Sequence, residues 1–230
     1  MKLKLLTLLL AASALTAACS DDDNNTGPEG QARVRVVHAS PDAPAVDVLV
    51  DDAAALSNVG YLTASDYVEL ANGAHNVKVN AAGTSTTVID ADVDLADGTD
   101  HTVIASGLLE AIQPIVLEDD NSTPAAGTAR VRAIHGAPSA PAVDVYVTAP
   151  GADLEAASPA LSNVGFGDVA DYLEVPAGDY QVRVTPAGTK TVVIDSGALT
   201  LTSGQVRTAI AVDAPGGGAP FDLLILDDLN

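Results

Sequence analysis

The chain has one cysteine, no tryptophan, two phenylalanines and one methionine among 230 residues. A single cysteine excludes an internal disulfide, so no cross-link can stand in for a packed core. Few aromatics leave valine, isoleucine, leucine and alanine to fill the interior. Positive charge is equally scarce: 10 Lys and Arg stand against 31 Asp and Glu, for a net charge of −21. Nucleic acid is therefore excluded as a partner, because phosphate binding needs a cationic footprint. Broad attraction to anionic lipid headgroups is excluded on the same ground. Four scattered histidines and one cysteine do not make a zinc site. No cofactor motif is found, and none is expected.

The one sustained apolar run opens the chain, MKLKLLTLLLAASALTAAC. Lys2 and Lys4 precede an uncharged stretch from Leu5 to Ala18, shorter than the about 20 residues that span a bilayer. Residues 1–18 thus read as a signal peptide. The sole cysteine, Cys19, follows Thr16-Ala17-Ala18, and this segment resembles a bacterial lipobox. The resemblance implies lipidation of Cys19, export, and anchoring to a bacterial outer membrane with a periplasmic or surface-facing body. Each buried methylene of such an anchor adds about 0.8 kcal/mol. Residues 19–31, beginning Cys-Ser-Asp-Asp-Asp, are acidic and poor in apolar side chains and are expected to form a disordered tether. They also resemble the surface-export signal of Bacteroidetes lipoproteins; a solvated spacer is the other reading. Without Lys2 and Lys4 the 10 basic residues fall to 8 against 31 acids, a net charge near −23.

The rest of the chain is written twice. ARVRVVHASPDAPAVDV at 32–48 returns as ARVRAIHGAPSAPAVDV at 129–145, with 12 of 17 positions identical. ALSNVGY at 55–61 returns as ALSNVGF at 160–166, and DYVEL at 66–70 as DYLEV at 171–175. The ends agree as well, IVLED at 115–119 against LILDD at 224–228. Two modules are expected, at 32–120 and 129–230, joined by a linker at 121–128. The second carries an extra loop near Pro150 to Ser158.

The apolar period is two. Val46, Val48 and Val50 alternate with Asp47, Leu49 and Asp51; Tyr180, Val182 and Val184 alternate with Gln181, Arg183 and Thr185. Strands with one buried face read this way. Turn signals recur at Pro41-Asp42, Asn72-Gly73, Ala82-Gly83, Asp97-Gly98, Ala177-Gly178 and Ala187-Gly188. The fold expected is all-β: two tandem antiparallel β-sandwich modules, immunoglobulin-like, of about seven to eight strands each.

ARVRVVHASPDAPAVDVLVD, ALSNVGFGDVADYLEVPAGDYQVRVTPAGT and the closing LLILDD resemble the domain of unknown function 4397 family, in two copies covering nearly all of the chain past the tether. The resemblance implies an all-β module in exported or surface-attached bacterial proteins. It implies no activity, cofactor or functional residue. Copy 1 departs at Leu70-Ala71-Asn72-Gly73-Ala74-His75, where the family and copy 2 favour Val-Pro-Ala-Gly-x-Tyr. A less rigid hairpin is expected there.

Several residues are candidates for chemistry. His38 with Asp47, and His135 with Asp144, are the possible His–Asp pairs, with Ser57 or Ser162 as nucleophile. No glycine-flanked nucleophile elbow surrounds those serines, and Ser40 becomes Ala137 in copy 2. In the structural reading, prolines 41 and 44 end the strand, the histidine holds the loop, and Asp47 pairs across strands with Arg33 or Arg35. Tyr67 and Tyr172, beside Glu69 and Glu174, are candidates for a saccharide or protein contact. Asp90, Asp92 and Asp94 superficially resemble a calcium loop. The glycine is misplaced, the twelfth-position glutamate is missing, and copy 2 lacks the acids. Aspartates on the solvent side of an edge strand account for them, so no metal is expected.

The reading is a non-enzymatic lipoprotein of the envelope or cell surface, held to the membrane through Cys19. It acts as a spacer or adhesion-like module pair for a protein or polysaccharide ligand. A calcium-stabilised adhesion protein is the second reading, and a hydrolase using the His–Asp pairs the third.

Overall fold

A computed structural model describes residues 30–228. The expected signal peptide, Cys19 and nearly all of the tether lie outside the described residues. Among the described residues, sixteen strands make up the fold, together with one 3₁₀ turn at Leu109–Ala111. The first eight are β1 (Gln31–Ala39), β2 (Val46–Val50), β3 (Ala53–Val59), β4 (Val68–Ala71), β5 (Gly73–Ala81), β6 (Thr87–Leu95), β7 (Asp100–Ser106) and β8 (Gln113–Asp119). The second eight are β9 (Thr128–His135), β10 (Val143–Thr148), β11 (Leu161–Val164), β12 (Leu173–Pro176), β13 (Gly178–Pro186), β14 (Ile194–Leu201), β15 (Val206–Val212) and β16 (Asp222–Asp227).

These form four sheets of four strands. β1–β8 give the orders β4-β1-β7-β8 and β3-β2-β5-β6, and β9–β16 repeat them as β12-β9-β15-β16 and β11-β10-β13-β14. The molecule is therefore all-β and sandwich-like, eight strands to each module. Its connectivity differs from the immunoglobulin order. β1 pairs in parallel with β7, and β9 with β15, while every other pairing is antiparallel.

Both edges of β1 are taken, by β4 and by β7, so β2 lies in the other sheet. Pro41 and Pro44 break the ladder after β1 and carry the chain across to the opposite sheet. Asp47 on β2 thus never lies beside Arg33 or Arg35, as the sequence alone suggested. Arg33 lies opposite Asp100 of β7, and its Nε donates to Asp100 Oδ1 at 2.7 Å.

β1 is buried on both faces. Ala32, Val34 and Val36 point into the sandwich, where they meet Val48, Val77, Val93, Leu95 and Val103. Arg35, Val37 and Ala39 point the other way, into the second module. There Val37, Ala39 and Ile104 pack with Ile134, Ile210, Val212 and Leu226. The sheet holding β1 and the sheet holding β9 are thus packed face to face, and the four sheets stack in four layers. A strand buried on both sides has no solvent face, which is why apolar residues fill both sides of β1 after Arg35.

Polar groups cross the same interface in matched pairs. Arg35 reaches the end of module 2: Nη2 donates to Asp228 Oδ1 at 2.7 Å and Nη1 to the Asp227 carbonyl at 3.0 Å. Arg132 reaches the end of module 1: Nη2 donates to Asp119 Oδ1 at 2.5 Å and Nη1 to the Glu118 carbonyl at 3.3 Å. None of the four side chains' residues is more than 6% exposed. The linker is tied down on both sides. Asn121 donates to Asp100, Arg130 to Ser122, and Glu174 accepts from the Ala125 amide. The extra loop of module 2 is held by Lys190, whose ammonium donates to the Leu154 and Ala157 carbonyls and lies over the Tyr146 ring.

Removing one partner of a buried, hydrogen-bonded ion pair leaves the other charge uncompensated, at a cost of about 3–5 kcal/mol. Arg35→Ala and Arg132→Ala are each expected to lose about that much in urea unfolding, read from the shift in midpoint. Losses within a few tenths of a kcal/mol of zero would show the pairs to be surface-like.

Candidate functional site

The repeated His-x-x-Pro-x-Ala-Pro-Ala-Val-Asp-Val segment gathers two structural devices. The first is the histidine. His38 lies at the end of β1, fully buried; its Nε2 donates to the Pro44 carbonyl at 2.9 Å and its Nδ1 accepts from the Ser40 amide at 3.3 Å. His135 donates to the Pro141 carbonyl at 3.1 Å. Each ring fixes the proline-bounded crossover from one sheet to the other. Each also meets an aromatic edge-on, Tyr61 for His38 and Phe166 for His135. Burial holds the His38 imidazole below its ordinary value, which favours the neutral ring.

The second device is the aspartate. Asp47 accepts from the Asn58 amide at 2.7 Å and the Gly83 amide at 2.8 Å. Asp144 accepts from the Asn163 and Gly188 amides, both at 2.8 Å. Asn58 and Asn163 are left-handed, with φ of 55° and 54°. The carboxylate thus pins a strained turn in Leu-Ser-Asn-Val-Gly to the neighbouring Ala-Gly-Thr turn. This explains why three separate motifs recur together in both copies. The donated amides hold both carboxyls below the usual aspartate range.

His38 and Asp47 share no hydrogen bond, nor do His135 and Asp144. Ser57 and Ser162 are exposed on β3 and β11. Among the described residues no serine hydroxyl is hydrogen-bonded to an imidazole. The structure brings together histidine and loop carbonyl, aspartate and turn amide, but not the three members of a triad.

Tyr67 and Tyr172 are half-buried at the module interface. Tyr67 donates to Asp119 Oδ2 at 2.7 Å, and Tyr172 to Asp228 Oδ2 at 2.8 Å. Thr102 and Thr208 donate to the same two oxygens at 2.5 Å. Arg35 lies over the Tyr67 ring at 4.8 Å and Arg132 over the Tyr172 ring at 4.4 Å. Each carboxylate therefore takes a tyrosine and a threonine from its own module and an arginine from the other. Burial, then the Asp119 charge, pushes the Tyr67 phenol up to about 12, so it stays a neutral donor. The Tyr172 phenol is raised for the same reasons, with Asp228 as its carboxylate.

Asp90, Asp92 and Asp94 are exposed on β6, an edge strand, while Ile89, Val93 and Leu95 are buried. Asn76 Nδ2 donates to both Asp90 and Asp92, at 2.8 and 3.0 Å. An amide NH₂ thus occupies the gap between the two carboxylates that a cation would need. Among the described residues, no group of three or more His, Cys, Asp or Glu is placed to hold a metal.

The departing hairpin of copy 1 is held after all. His75 Nε2 lies 2.8 Å from the Ala71 carbonyl, the place where Tyr180 OH donates to the Pro176 carbonyl at 2.7 Å. His75 Nδ1 adds a contact to Asp51 at 2.7 Å, which raises its affinity for a proton. One feature was missed by reading the sequence: an apolar cavity of about 180 Å³ inside module 2. The signal for it was present, as alanines in copy 2 where copy 1 has valines.

A family model described as "Domain of unknown function (DUF4397)" matches residues 4–49, 32–146 and 147–230. No curated protein matches the chain. Among solved structures, a streptococcal virulence factor that binds alpha-glucan is 11% identical, with a TM-score of 0.24 over 77% of this chain and 91% of that one. A family CBM26 module from Eubacterium rectale Amy13K, solved with maltoheptaose, is 9% identical, with a TM-score of 0.26 over 87% and 98%. The Bacillus anthracis TIE protein is 13% identical, with a TM-score of 0.22 over 79% and 33%. Likenesses at these TM-scores carry no argument about function.

Because the folded His38 binds its proton more weakly than the unfolded one, its stabilising contribution is present above about pH 6.5 and is lost as pH falls below it. His75 has the opposite sign, contributing below about pH 6.5 and fading above it. The melting temperature of the unaltered chain is expected to fall between about pH 8 and about pH 5.5, and that of His38→Gln to fall less. An unchanged fall would show that His38 does not titrate in that window.

Proposed function

The chain belongs to the DUF4397 domain-of-unknown-function family, and we propose that it serves as a non-enzymatic binding or spacer protein of the bacterial envelope, lipid-anchored through Cys19. The observation that carries this reading is the use made of the repeated motif. Its histidines and aspartates, the residues closest to a catalytic set, are engaged with loop carbonyls and turn amides. The reciprocal arginine–aspartate contacts support the second half. They join the two modules into one body that holds its surfaces at a set distance from the tether. A strongly acidic surface keeps that body soluble and away from anionic lipid. Its ligand in this reading is a protein or a polysaccharide.

Fractionation of cells tests the anchor. The unaltered chain is expected in the membrane fraction and to incorporate a labelled fatty acid; Cys19→Ser is expected in the soluble fraction, unlabelled. Equal partitioning of the two would refute the anchor. Ester or glycoside turnover by the purified chain, lost on substitution of His38 and His135, would refute the non-enzymatic half.

A further inference from the structure

The two modules are built to one plan, yet their sandwich interiors differ. At the centre of module 1, Val36 of β1 lies directly opposite Val103 of β7, and both are buried in the core. The matching positions in module 2 are Ala133 of β9 opposite Ala209 of β15. Leu70 of β4, which packs on the same core, is matched by Val175 of β12. Three truncations therefore converge on one place.

The opposite sheet does not close over the loss. Module 2 contains a cavity of about 180 Å³ between its sheets, walled by Ala133, Ala209, Val145, Val182, Leu199 and Leu201, among others. A smaller space of about 40 Å³ continues it along the sandwich and shares Ala133, Val145, Val182 and Ala209 as walls. Val48 and Val77 are buried in module 1, whereas Val145 and Val182, their counterparts, are reached by solvent. Ala133 and Ala209, on the two central strands, are reached as well. The mouth carries Leu173, the most exposed large apolar side chain among the described residues.

Protein interiors hold few voids larger than a water molecule. Apolar cavities of about 150 Å³ stay dry and take up benzene or xenon. The module 2 cavity is larger than that and elongated by its smaller continuation. Water gains few hydrogen bonds from such walls. The two guanidiniums in the lining are each ion-paired already, Arg207 with Asp227 at 2.9 Å and Arg132 with Asp119, and Asp171 adds a carboxylate, so the lining does not favour an anionic head.

We infer that the space between the sheets of module 2 is a binding site for a small, uncharged molecule carrying a linear alkyl chain, inserted lengthwise past Leu173. In module 1 the buried pair Val36 and Val103 occupies the matching place. The inference is independent of the envelope reading and concerns module 2 alone.

1-Octanol is the probe, added to the full-length Cys19→Ser chain, which carries no acyl chain of its own and needs no detergent. It is expected to raise the melting temperature in a saturable way, since a ligand of the folded state stabilises by mass action. The double variant Ala133→Val with Ala209→Val restores the module 1 valine pair and is expected to lose the shift. Val175→Leu, which restores the Leu70 counterpart, is the milder second variant and is expected to weaken binding by about tenfold or more. No saturable shift in the unaltered interior would overturn the proposal. An equal shift in the unaltered and filled variants would also overturn it, because octanol would then be acting elsewhere.

Discussion

A buried carboxylate at the end of each module receives its arginine from the other module. Arg35 belongs to the first strand of module 1 and closes on Asp228 at the end of module 2; Arg132 belongs to the first strand of module 2 and closes on Asp119 at the end of module 1. A buried carboxylate left alone is costly, so neither module is electrostatically complete without its neighbour. The surrounding groups follow from this need. Thr102 and Tyr67 satisfy the second oxygen of Asp119, as Thr208 and Tyr172 do for Asp228. Each tyrosine ring then covers the arginine of its own module. The apolar patch of Val37, Ile104, Ile134 and Ile210 seals the network from water.

The duplicated segment has a matching logic. β1 has β4 on one edge and β7 on the other, so the chain leaving β1 forms its next strand in the other sheet. The prolines turn it, the histidine fixes the turn, and the aspartate anchors the returning strand to two tight turns of its sheet. Fold maintenance accounts for the hydrogen bonds of the motif's histidines and of Asp47 and Asp144. The surfaces left for recognition lie elsewhere, on the outer sheets and loops, and in the interior of module 2.

Much of the architecture was legible because it rests on local rules. Alternation in Val46–Val50 and Tyr180–Thr185 marked strands, and Asn-Gly, Asp-Gly and Ala-Gly marked turns. The duplicated stretches marked two copies of one plan. Partner identity was not legible, because it depends on which sheet a strand joins. Arg33 and Arg35 alternate with valine, a pattern that reads as a solvent face; only the break at Val37 and Ala39 hinted that this face is covered too. Tyr67 and Tyr172 read as half-exposed contacts for the same reason. The Val-to-Ala changes at 133 and 209 were visible, but only the parallel register places them side by side.

Hydrogen exchange on the intact chain tests the central claim, that the two modules are one cooperative body, most directly. Amides of β1, β7, β9 and β15 should share a single protection free energy, equal to that of global unfolding. Protection of β9 and β15 that survives while β1 and β7 exchange far faster, or the reverse, would show independent modules and contradict the account.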